Sequence, residues 1–386
     1  MHLTPEFPLS PLPLKDLLLD TLRRTGPMTF ERYMGLCLYH PEFGYYTQGR
    51  ERTGIAGDYF TSSDLHPVFA RLVARQAAEM WNAAGRPKPF TWVEMGAGRG
   101  LFASDFLTWV EGALPEFAAV LDYAAIEPGL PQRQRIEARL AAVGQGGRFR
   151  LLANLEELAP VTGCFFSNEL VDAFPVSVVT RTGGHLKEIY VAAEGDCLGE
   201  KPGPISDSIV AAYVARYAPE LEESHRMEVN RQAQAWIRAV AFKLTRGYVL
   251  TIDYGDMANR LFTPDRPRGT LLAYHRHTAA EDFFTAPGES DLTAHVNFSA
   301  LIDAGKAAGL EFAGFTTQEK FLLALGEATQ FADVYDPGQT EIEMLNARLK
   351  LKRLISPEGM GNIFKVLVQR RGVPQTALTG WKFERQ

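Results

Sequence analysis

The sequence predicts an α/β fold built on a Rossmann-like, seven-stranded sheet, with a helical N-terminal extension and inserted hairpin and helical segments. Three observations carry this. The stretch Phe90 to Gly100 is an apolar, aromatic-rich run that closes in Glu94 and then in three glycines at alternate positions, Gly96, Gly98 and Gly100, with helical periodicity from Leu101 to Val110. Further apolar runs of strand length follow with amphipathic helices between them, the alternation of a largely parallel sheet. Several of these runs end in polar or acidic residues, as at Glu127, Asn168-Glu169 and Asp253.

In order, a helix begins near Leu12 with Leu14, Leu17, Leu18 and Leu22 on one face, and Gly26-Pro27 ends it. Thr29 is placed to cap a second helix from Phe30 to Leu38. Two loops rich in glycine and aromatics follow, Tyr39–Tyr46 and Gly54–Asp64, suited to lie over a site as a lid. A helix from Ser63 or Asp64 to Trp81 and the linker Gly85–Pro89 lead into the Phe90 strand. Tyr123–Glu127, Phe149–Leu152, Cys164–Ser167 and Gly247–Gly255 are the next buried strands. Val176–Thr180 and Leu186–Ala192 form an inserted hairpin about Gly183-Gly184, and Asp256 to about Asn297 is a long polar loop. Glu311–Thr316 and Asn362–Gln369 complete the sheet, and the chain from Gly372 reads as a tail. The organisation expected is residues 1–87 as extension and lid, 88–372 as the main domain with insertions at about 176–245 and 256–297, and 373–386 as the tail.

Composition narrows the function. Apolar residues make up 46% and charged residues 22% of 386, and the net charge of −6 comes without a basic run, so a nucleic-acid partner held through phosphates is disfavoured. Charges interrupt every apolar run before membrane-spanning length. The N-terminus lacks a signal or transit pattern, which places the protein in the cytoplasm. Cys37, Cys164 and Cys197 are too few and too scattered for a disulfide frame or zinc site, and His275, His277 and His295 show no metal-ligand spacing.

The glycine turn is the chemical centre. Its glycines allow backbone angles that a Cβ resists and leave the chain bare for a ligand at a helix N-terminus. A dinucleotide fingerprint wants a small residue at position 101, where Leu101 stands. The Glu-x-Gly-x-Gly-x-Gly pattern looks instead like the first motif of S-adenosylmethionine-dependent methyltransferases. Glu127, at the end of the second strand, holds the place of the acid that binds ribose hydroxyls in Rossmann-type folds.

Beyond this turn, the chain resembles the MidA family of S-adenosylmethionine-dependent methyltransferases. The resemblance runs through Pro41–Tyr46, Gly57–Ser62, Val93–Gly100, Asn168–Val176, Ile252–Gly255, Asp291–Val296 and Gly359–Leu367. Ser63, Ala70 and Asn297 depart from it, where the family commonly has Pro, Gly and Asp. The family's mitochondrial members are protein arginine methyltransferases needed for assembly of respiratory complex I.

The resemblance implies S-adenosyl-L-methionine as cofactor and a protein substrate methylated on arginine; the residue pattern itself gives no metal site. Gly96, Gly98 and Gly100 would meet the cofactor through their backbone, Glu94 its methionine end or the turn itself, Glu127 its ribose and Asn154 its adenine, with Asn168 also in that pocket and Asp58 and Asp253 serving the lid or the cofactor pocket. An arginine acceptor is always protonated in water, so it needs carboxylates to orient it and take its proton. Glu169 and Asp172, three residues apart after the fourth strand, are the candidates. A methyltransferase for a small molecule or another side chain, and an assembly factor that keeps cofactor binding, are the alternatives; a homodimer is compatible with either.

Overall fold

The computed structural model describes residues 13–50, 61–275 and 278–384. The chain divides into two compact units, each built from three separate stretches. One draws on residues 13–50, 173–232 and 258–295, and the other on 61–172, 233–257 and 296–384.

The second unit holds the central sheet. Its strands are β1 (Phe90–Met95), β2 (Leu121–Ile126), β3 (Phe149–Leu152), β4 (Val161–Asn168), β5 (Leu244–Asp256), β6 (Glu311–Thr317) and β7 (Phe364–Arg371). They lie in the order β6-β7-β5-β4-β1-β2-β3, and the two-residue strand Val296–Asn297 pairs with the end of β5. Strands β3, β2, β1, β4 and β5 are parallel to one another, and β7 runs antiparallel to both β5 and β6. The α/β class expected from the sequence is therefore present, on a largely parallel sheet made mixed by the antiparallel β7.

All six residues of β1 are buried, as a central parallel strand covered on both faces requires. Trp92 at its middle stacks on Phe106, with ring centroids 5.0 Å apart, and packs against Phe166 of β4 at 5.2 Å. This aromatic cluster fixes the helix Leu101–Ala113 on the sheet, and so fixes the turn that joins strand to helix.

Several elements differ from the sequence reading. The helix expected up to Trp81 is broken: Thr61 caps the single turn Ser62–Leu65, and a new helix, Val68–Ala83, starts after Pro67. The proline forces His66, its predecessor, into extended backbone. The residues after Gly372 are no loose tail. Trp381 is buried against Phe321 at 5.2 Å, and the Gly380 N–H donates to the Gln76 side chain.

The first unit is built on a five-stranded antiparallel sheet of Met28–Thr29, Ser177–Thr182, His185–Glu194, Cys197–Gly203 and Arg226–Val229. The expected hairpin is its middle, and the Met28–Thr29 pairing joins the N-terminal stretch to it. Thr29 caps the helix Phe30–Tyr39 as expected. The polar stretch 256–297 is more ordered than a loop: Leu272–His275, Thr278–Ala280 and Asp291–Thr293 form a small sheet of their own. Among the described residues no helix is long and apolar enough to cross a membrane.

Candidate active site

The carboxyl ends of β1, β2, β4 and β5 gather most of the residues singled out from the sequence. After Met95 the chain turns through Gly96, Gly98 and Gly100, all at positive φ, of 74°, 55° and 70°. The turn is anchored by Gly96 N–H donating to the Ile126 carbonyl and Gly100 N–H to the Ala97 carbonyl, each at 2.9 Å. A Cβ on Gly96 would lie 2.9 Å from Leu170 Cδ1, and one on Gly100 would lie 3.1 Å from Ile136. At Gly98 a Cβ would meet nothing among the described residues closer than 4.0 Å. Two glycines thus serve close packing, and the middle one faces open space.

Glu127 closes this turn from β2. Its carboxylate accepts the Gly98 and Gly129 N–H groups, both at 2.9 Å. Burial raises its pKa, against the pull of those two donors and of Arg133. Glu94 lies beneath the turn on β1 and accepts the Tyr123 hydroxyl at 2.7 Å. Burial pushes Glu94 up to about 8, with the Tyr123 bond opposing and the Glu127 charge adding. Asn154, at the end of β3, has a local task. Its oxygen accepts the Glu157 N–H at 3.2 Å, and its amide donates to the Glu157 carboxylate at 3.0 Å.

Beside the glycine turn, β4 ends at Asn168 and the chain bends sharply at Glu169. Glu169 sits at φ 54°, left-handed backbone that a residue with a Cβ seldom adopts. Its Oε1 accepts the Ser62 N–H at 3.0 Å and the Asn168 side-chain amide at 2.9 Å. Its Oε2 and the Asn168 Oδ1 are enclosed and have no hydrogen-bond partner among the described residues. Enclosure pushes the Glu169 carboxyl up to about 8, opposed by those two donors and reinforced by the charges of Asp253 and Asp64. Asp172 is buried at the end of the same turn.

Asp253 of β5 holds that turn. It is fully buried, and its carboxylate accepts the N–H groups of Leu170 at 3.2 Å, Val171 at 2.8 Å and Tyr254 at 2.9 Å, together with that of Asp172. Burial raises its pKa while these donors favour the carboxylate. A second interaction absent from the sequence reading is the ion pair of Arg99 with Asp64, whose carboxylate also completes the capping box with Thr61.

Asp58 and His277 lie outside the described residues. His275 shares a hydrogen bond with the Glu289 carbonyl at 3.0 Å, and the His295 N–H donates to Thr270. Among the described residues no group of three or more His, Cys, Asp and Glu could hold a metal ion.

The geometry thus offers an open glycine cradle, an acid beside it and, on the adjoining turn, two orphaned acceptor oxygens. Residues 72–316 match a sequence family described as "Putative S-adenosyl-L-methionine-dependent methyltransferase". The chain belongs to this family of methyltransferases. Its fold is also that of a structure from Burkholderia thailandensis, described as a "likely methyl transferase" bound to S-adenosyl-homocysteine: identity is 32%, the TM-score 0.88, and the alignment covers 96% of this chain and 95% of that one. Among curated relatives, the mitochondrial protein arginine methyltransferase NDUFAF7 of Danio rerio is 27% identical over 88% of this chain and 83% of its own. The human protein of that name is 25% identical, covering 98% and 87% respectively.

The protein is therefore an α/β methyltransferase that uses S-adenosyl-L-methionine. The open space at Gly98 and the unpartnered oxygens on the neighbouring turn fit such a cofactor and an acceptor beside it. One expectation is corrected: the cytoplasmic placement read from the N-terminus is overturned by the curated relatives, which are named mitochondrial.

Proposed function

We propose that this methyltransferase modifies a guanidinium nitrogen of an arginine in a partner protein, with Glu169 as the group that orients the acceptor and receives its proton. The observation that carries this reading is the Glu169 carboxyl: one oxygen is fixed by two N–H donors and the other is enclosed, with no partner among the described residues. An enclosed acceptor of that kind suits a cationic N–H donor, and a guanidinium supplies several. Asn168 Oδ1 offers a second acceptor beside it, and Asp172 closes the same turn. The names of the curated relatives support arginine as the acceptor. By the resemblance to the MidA family, the partner we propose is a subunit of respiratory complex I.

When bound, the cofactor supplies an electrophilic methyl group on a sulfonium. In the proposed arrangement Gly96, Gly98 and Gly100 lie along it through their backbone, Glu127 takes the ribose hydroxyls in exchange for the Gly98 N–H, and Glu94 fixes the floor of the turn near the methionine end. Asn168 faces both cofactor and acceptor, and Asn154 flanks the adenine. The acceptor nitrogen forms the new C–N bond as the S–C bond breaks, and its proton passes to the ionised Glu169. A carboxyl held near 8 is a stronger base than an ordinary one and is still partly ionised at neutral pH.

The test is transfer of tritium-labelled methyl from the cofactor into a cell extract, followed by hydrolysis and identification of the labelled amino acid. Methylarginine that disappears with Glu169→Gln is the expected result, with the rate lowered by about 10²–10⁴-fold. Label in any other residue, or undiminished label with the variant, would refute the assignment.

A further inference from the structure

We infer that Asp253 is a positioning residue for methyl transfer: its buried carboxylate fixes the 168–172 turn and thereby aims the Glu169 carboxyl. This rests on the reading of Glu169 given above. Beyond Asn168 the turn has left the sheet, and its N–H groups no longer meet strand partners. The one exception is Glu169, whose N–H donates to the Ile252 carbonyl at 3.0 Å. The next three N–H groups, of Leu170, Val171 and Asp172, all converge on Asp253. Two consecutive residues at the end of β5 therefore grip the chain on both sides of Glu169.

That grip explains how a non-glycine residue is kept at φ 54°. Left-handed backbone persists at such a residue only where its surroundings enforce it, and it re-aims the side chain away from the line of the strand. A carboxylate is the side chain suited to the task. Its two oxygens offer about four acceptor positions, and Asp253 also accepts the Tyr254 N–H. The amide of an asparagine would keep one oxygen and turn an NH₂ group toward N–H groups that need an acceptor. The same turn sets Leu170 against Gly96, so the grip also fixes the spacing between Glu169 and the glycine cradle.

The experiment uses the full chain as Asp253→Asn, Glu169→Gln and the double variant. Three readouts are amide hydrogen exchange, calorimetric titration with S-adenosylhomocysteine, and labelled-methyl transfer into extract. Asp253→Asn should speed exchange at residues 169–172 by about tenfold or more and leave that of Phe90–Met95 unchanged. It should keep the S-adenosylhomocysteine Kd within about threefold and lower methyl transfer by about tenfold or more, and the double variant should transfer no more slowly than Glu169→Gln alone. Additive losses in the double variant, or unchanged exchange at 169–172, would overturn the inference. Should Asp253→Asn fail to fold, Asp253→Glu keeps both oxygens while displacing them by one methylene. Wild-type transfer in that variant despite faster exchange would likewise overturn it. Full transfer by Glu169→Gln would remove the acceptor reading itself, a result separable from the exchange data, which report on the turn alone.

Discussion

The Tyr123 hydroxyl donates to the Glu94 carboxylate at 2.7 Å across two adjacent parallel strands, directly beneath the glycine turn. Both side chains are buried, and burial raises both pKa values; the Glu94 carboxylate raises that of Tyr123 further, whereas the Tyr123 hydrogen bond opposes the rise at Glu94. Removing the hydroxyl by Tyr123→Phe leaves an enclosed carboxyl without its donor. Such a loss costs about 1–3 kcal/mol, readable as a lower urea midpoint with an unchanged m-value.

The buried acids give stability a definite pH slope. Glu94 and Glu169 titrate near 8 in the folded protein, against an ordinary value of 4.5. A raised folded-state pKa means that folding favours the protonated form. The contribution is complete below the ordinary value and is lost as pH rises through the folded one. The unfolding free energy should therefore fall between these limits by up to about 1.4 kcal/mol per pH unit for each group. Thermal unfolding at a series of pH values checks this, and Glu94→Gln should flatten the slope by its own share.

Gly98 and Gly96 should respond differently to substitution. Gly98→Val adds a side chain in the open space above the turn, so it should weaken S-adenosylhomocysteine binding by about tenfold or more in a folded protein. Gly96→Val drives atoms into Leu170 and should lower stability as well, by about 1–3 kcal/mol. Calorimetry paired with thermal unfolding separates the two outcomes.

Glu127 accepts two backbone donors, one from the cradle and one from Gly129. Glu127→Ala should lower S-adenosylhomocysteine affinity by about 10–100-fold, since each lost charge-assisted bond is worth about 1.5–3 kcal/mol. An unchanged Kd would remove Glu127 from the cofactor site.

The strand–turn–helix of Phe90 to Ala113 was legible because buried runs, acids and alternate glycines leave a local trace in the sequence. So was the crowding of Asn168 and Glu169 at a strand end. The role of Asp253 was not, because its partners lie about eighty residues earlier in the chain and meet it only once β4 and β5 pair. The break at His66-Pro67 was readable from the proline alone, but the strong periodicity on either side masks it. Trp381 looked like part of a tail because its docking site, Phe321 and Gln76, is distant in sequence. The ion pair of Arg99 with Asp64 was hidden for the same reason.

The route of the chain has a practical consequence for anyone dissecting this protein. The unit bearing the candidate site is left after Asp172 and after Met257, and each departure is from the carboxyl end of a parallel strand. No truncation from either terminus can isolate it, because residues 173–232 and 258–295 lie in the chain between its own strands. Each excursion begins after one strand of the central sheet and returns before the next, so the strand order is set without either of them.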